Sequence, residues 1–91
     1  MKIITVCGMG VGTSLMLKMT VESVMNTLGR QASVEHWDMG TVKGKECDLI
    51  VTSEEFRSNF ADQDNVVFVH NIMDANEVQT KLSVYFEEKG V

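Results

Sequence analysis

Ninety-one residues, 44% hydrophobic and 23% charged, describe one small globular domain rather than a disordered chain. A formal net charge of -5 argues against a general nucleic-acid binder, which needs clustered Lys and Arg to neutralise phosphates. It leaves open a single small anion held by backbone amides. No apolar run approaches the roughly 20 residues of a membrane span, and the apolar start is too short for a signal peptide. A cytoplasmic protein without membrane insertion is therefore expected. With no proline, repeat or linker, residues 1–91 read as a single domain.

Lys-Ile-Ile-Thr-Val at positions 2 to 6 is a β-branched run ended by glycines, which predicts a buried strand. From Ser14 the period changes: Leu17, Val21, Val24 and Leu28 form the stripe of an amphipathic helix. Gly29 and Arg30 suit its C-terminal end. Ala32 to Trp37 predicts a second strand and Asp48 to Thr52 a third. Ser53 is expected to cap a short helix that presents Phe56 and Phe60 on one face. Val66 to Val69 is the fourth strand. Asp74 with Glu77 reads as a capping box for a last helix striped by Val78, Leu82, Tyr85 and Phe86. This alternation predicts an α/β fold, a small flavodoxin-like three-layer sandwich. Its four-stranded parallel sheet has the order 2-1-3-4, with helices on both faces.

Ligands of such sheets gather outside the carboxyl ends of the strands, where "VCGMGVGTS" leaves the first strand at positions 6 to 14. The dinucleotide fingerprint fails, because its third glycine falls on Thr13 or Leu15; no Walker Gly-Lys-Ser/Thr ending is present either. Gly8, Gly10 and Gly12 permit close backbone approach, and Thr13 and Ser14 add hydroxyl donors. A helix N-terminus favours the thiolate of Cys7, and the same donors suit phosphoryl oxygens. The plainer reading is a buried cysteine beside a turn. A redox pair with Cys47 fails on strand polarity. The two residues belong to opposite sheet edges, roughly 16 Å apart at the usual strand rise, against the ~7 Å limit for a disulfide. Cys47 is expected in the core.

Residues 6 to 19, "VCGMGVGTSLMLKM", resemble the active-site loop and first helix of IIB components of the phosphoenolpyruvate-dependent sugar phosphotransferase system (PTS). The likeness is to the ascorbate type, among lactose, cellobiose and galactitol relatives. Val67 to Met73, "VFVHNIM", is similar to the fourth-strand exit of the same proteins. The resemblance implies a phosphocarrier with Cys7 as the phosphorylated residue and Gly8, Met9, Gly10, Val11, Gly12, Thr13 and Ser14 as the phosphate loop. It implies phosphorylated IIA as donor, a sugar held by membrane IIC as acceptor, and neither metal nor cofactor. A monomer is expected from transient docking.

Two alternatives accompany this reading. Low-molecular-weight tyrosine phosphatases have a Cys-x5-Arg-Ser loop, but Thr13 stands where the arginine belongs, and a fixed guanidinium is what grips the phosphate. Asp62, Asp64 and Asp74 are the carboxylates available as general acid. The other alternative is a non-catalytic anion-binding regulatory module. His70 and Asn71 are candidate accessory residues, with Asn71 better supported by the likeness; His36 is given no role. Met9 and Val11 are expected to face outward, Met16 and Met19 to fill the core, and Glu54 and Glu55 to favour a first helical turn.

Overall fold

The β-branched segments form the strands. In a computed structural model that describes residues 1–6, 11–37 and 46–90, with backbone alone for residues 11–14, these are β1 (Lys2–Val6), β2 (Ser33–Trp37), β3 (Leu49–Ser53) and β4 (Val66–Val69). All pair in parallel in the order β2-β1-β3-β4. The register sets Ile3 beside Leu49 and Val6 beside Thr52, so β1, centrally placed, is buried along nearly its whole length.

Because side chains alternate along each strand, the two sheet faces carry different cores. One face holds Ile3, Val34, Leu49, Val51, Val67 and Val69 under α1 (Val11–Thr27) and α2 (Ala75–Lys89). These helices contribute Leu17, Val21, Val24 and Met25, and Val78, Leu82 and Phe86. The other face holds Ile4, Val6 and Ile50 under η1 (Glu54–Phe60), a 3-10 helix that contributes Phe60 and half-buried Phe56. The expected three-layer α/β sandwich is the fold found.

Helix α1 ends as its sequence predicts. Gly29 takes φ +70°, a conformation glycine reaches without a Cβ penalty. The Arg30 N–H donates to the Met25 carbonyl at 3.0 Å and the Gly29 N–H to Asn26 at 3.1 Å, the paired bonds of a Schellman motif. The Arg30 guanidinium then lies 4.3 Å from the centre of the Phe86 ring, which ties this cap to α2.

Three local expectations need correction. Helix α1 begins at Val11 rather than Ser14; Gly12 lowers helix propensity by only about 1 kcal/mol, too little to stop a helix whose later turns are packed. Ser53 sits at the N-terminus of η1 without a capping hydrogen bond, its hydroxyl lying 3.2 Å from the Glu55 carboxylate instead. Asp74 does cap α2, accepting from the Asn76 and Glu77 N–H groups. The reciprocal half of the capping box is replaced: the Asp74 N–H donates to the Asn71 carbonyl, and the Glu77 carboxylate reaches past it to the chain leaving β4.

Candidate functional site at the carboxyl edge of the sheet

Parallel pairing brings the carboxyl ends of all four strands to one edge. Val6 there leads into Cys7, Ser53 into η1, and Val69 into the turn that carries His70 and Asn71. Helices α1 and α2 both start from this edge and pack against each other. Cys7, Gly8, Met9 and Gly10 lie outside the described residues. Val11, Gly12, Thr13 and Ser14 form the first turn of α1, so the second half of the glycine segment is helical. Its first-turn N–H groups have no intrahelical acceptor, and no acidic residue occupies that turn.

The junction between β4 and α2 has the opposite character. The His70 and Asn71 N–H groups donate to the two oxygens of the Glu77 carboxylate at 2.6 and 2.9 Å, and Asp74 takes the first-turn N–H groups of α2. Burial works to raise the pKa of Glu77, but the His70 and Asn71 N–H groups and Lys81 outweigh it and hold the carboxyl below its ordinary value. The β1–α1 and β4–α2 junctions thus share one edge. One is filled by the protein's own carboxylates, and the other starts its helix without one.

His70 is exposed, with Nε2 3.9 Å from a Glu54 carboxylate oxygen at the end of β3. Glu54 also pairs with Arg57, so it serves the first turn of η1 as expected. Asn71 is exposed, and its Oδ1 accepts from the Met73 N–H at 2.9 Å, which closes the turn.

Other candidates are either separated from this edge or already engaged at it. Asp62 and Asp64 follow η1 and precede β4, which puts them at the amino edge, and Asp64 pairs with Lys89. Asp74 is committed to its cap. None of the three carboxylates expected for a phosphatase acid is free at the carboxyl edge. Cys47 is free, half-buried and at the amino edge, packed against the second core rather than within it as the sequence suggests. Burial pushes its thiol pKa up, against a hydrogen bond with the Leu49 backbone that lowers it. Open depressions of about 550 Å³ beside Met25 and Arg30, and about 590 Å³ beside Cys47, also lie at the amino edge.

Met16 and Met19 correct a further expectation. They are 43% and 61% exposed, with Leu15 at 40%. Successive residues turn about 100° around a helix, which places 15, 16 and 19 together opposite the stripe of Leu17, Val21 and Val24. They form an outward apolar face on the early turns of α1 instead of core.

Residues 2–83 match the family described as "PTS system, Lactose/Cellobiose specific IIB subunit". The chain belongs to that family. This IIB chain is also 42% identical over 85 residues to the "Ascorbate-specific PTS system EIIB component" of Mycoplasma pneumoniae (strain ATCC 29342 / M129 / Subtype 1), covering 89% of this chain and 90% of that protein. IIB membership places it among phosphotransferase components that work with IIA and IIC partners. Among the described residues of this IIB chain, no helix is long and apolar enough to cross a membrane. Glu77 is the residue at this edge whose role the sequence pattern concealed. Its signal, an acidic residue three positions after an N-cap, is shared with the capping box and does not say where the carboxylate turns.

Proposed function

We propose that this chain, residues 1–91 acting as a single IIB domain, is a cytoplasmic phosphocarrier that carries its phosphoryl group on Cys7. The Cys7 thiolate attacks phosphorus on a phosphohistidine of the IIA partner; the S–P bond forms, the N–P bond breaks, and the imidazole leaves. A sugar hydroxyl held by the membrane IIC partner then attacks phosphorus. The S–P bond breaks, the thiolate returns, and the hydroxyl proton passes to a base or to solvent. Gly8, Met9, Gly10, Val11, Gly12, Thr13 and Ser14 supply the N–H and hydroxyl donors for the phosphoryl oxygens, and His70 and Asn71 border them. A sugar of the ascorbate-like class is the substrate favoured by the 42% identical relative.

The observation that carries this reading is the contrast at the carboxyl edge. The turn after β4 fills its amides with Asp74 and Glu77, whereas α1, which follows Cys7 by four residues, begins without an acidic side chain. Two exposed methionines and Leu15 on α1 supply an adaptable apolar surface, suited to a monomer that meets IIA and IIC in turn.

Incubation with phosphoenolpyruvate, the general carrier proteins and a cognate IIA tests the proposal. Label that is stable on the wild-type chain and lost in Cys7→Ser is expected. Absence of label under a demonstrably active IIA overturns the carrier reading, and steady phosphate release from aryl phosphates without label replaces it with a hydrolase.

A further inference from the structure

The turn between β4 and α2 is held from within. Besides the His70 and Asn71 N–H groups on Glu77, the Met73 N–H donates to Asn71 Oδ1 and the Asp74 N–H to the Asn71 carbonyl. Lys81 Nζ lies 3.1 Å from the Glu77 carboxylate and donates to the Phe68 carbonyl on β4. This braces the clamp from the next turn of α2. Ile72 turns inward against the larger core. Met73, 60% exposed, and His70 are left facing outward, at the edge where α1 exposes Leu15 and Met16. A short turn with an isoleucine anchor and a two-oxygen clamp is thus held by contacts within the chain.

We propose that Glu77 is a positioning residue for phosphoryl transfer, holding the His70–Asn71 backbone so that Met73 and His70 meet the phosphohistidine-bearing donor protein in a ready-set geometry. This rests on the phosphocarrier reading above. Glu77 touches no reacting atom in this scheme; it acts through the turn. Docking onto a turn that is already ordered avoids the entropy of ordering it, so its loss falls on the KM for the donor and leaves kcat nearly unchanged.

The test compares wild-type chain with Glu77→Gln and Met73→Ser, using the phosphorylated IIA partner as substrate. In Glu77→Gln the His70 and Asn71 amide proton resonances should move upfield, and the KM for the donor should rise about five-fold or more with kcat within about two-fold. Met73→Ser, exposed and outside both cores, should raise the same KM without moving those amide resonances comparably, and it keeps the test decisive if Glu77→Gln does not fold. Amide resonances that stay in place, a KM unchanged in either folded variant, or a loss confined to kcat overturns the proposal. A wild-type chain that takes no label from an active donor overturns the phosphocarrier reading itself. A labelled wild type with unaltered variants removes the docking turn of Glu77 and Met73 and leaves the phosphocarrier reading standing.

Discussion

Thr52 Oγ1 donates a 2.8 Å hydrogen bond to the Val6 carbonyl, with both residues fully buried. The residue immediately before Cys7 is thereby tied sideways to β3, in addition to its ladder pairing with Thr52. Replacing Thr52 by Val keeps the shape and removes the donor, at an expected cost of about 1 kcal/mol. Thermal unfolding should show this as a Tm lower by about 4–8 °C for a domain of this size. An unchanged Tm would mean that the bond contributes nothing beyond the ladder.

Glu77 makes stability depend on acid in a defined direction. Its pKa is lowered in the folded chain, so its contribution is complete above the unfolded value, about 4.3 for a free Glu. It is lost as pH falls through the folded value. The stability gap between wild type and Glu77→Gln, from urea unfolding, should therefore be widest near neutrality and narrow below about pH 4. A gap independent of pH would remove the charge from the explanation.

Met16 and Met19 should separate stability from function. As exposed side chains on the outer face of α1, their replacement by Ser should change unfolding free energy by no more than about 0.5 kcal/mol. Transfer from the phosphorylated donor should weaken. Leu17→Ala, one position along the same helix but fully buried, should cost about 2–5 kcal/mol. Equal destabilisation by both kinds of substitution would return the methionines to the core.

Cys47 should be a slow thiol. Burial raises its pKa above the ordinary 9.0, so at neutral pH it stays protonated while the thiolate is the reactive form. Iodoacetamide on the native chain, followed by peptide mapping, should modify Cys47 late and increasingly as pH is raised. Rapid labelling of Cys47 at neutral pH would contradict the burial argument.

Much of the fold was legible because burial on both faces demands continuous β-branched runs. The bounds read for β1 and β4 match those observed, and strand polarity alone placed Cys47 at the edge opposite Val6. The less legible features depend on neighbours. Gly12 punctuates the sequence, yet the packed turns beyond it carry α1 back to Val11. Met16 and Met19 are apolar whether they fill a core or face outward; their angular distance from Leu17 and Val21 decided the matter. Glu77 fits a capping box by spacing, but the turn set by Ile72 and Asn71 brings two other N–H groups within its reach. The reading of Cys7 as reactive rests on the pattern of cysteine and glycines, because anion chemistry needs close backbone approach and Cys7, Gly8, Met9 and Gly10 lie outside the described residues.

The phosphocysteine proposed at Cys7 is tested most directly by peptide mapping of the chain by mass spectrometry after incubation with the proposed phosphohistidine donor, under neutral conditions that preserve an S–P bond. One phosphoryl group on the peptide containing Cys7, and none on those containing Cys47, His36 or His70, is the expected result. A phosphoryl group on His70 or His36, or an unmodified chain beside a spent donor, would contradict it.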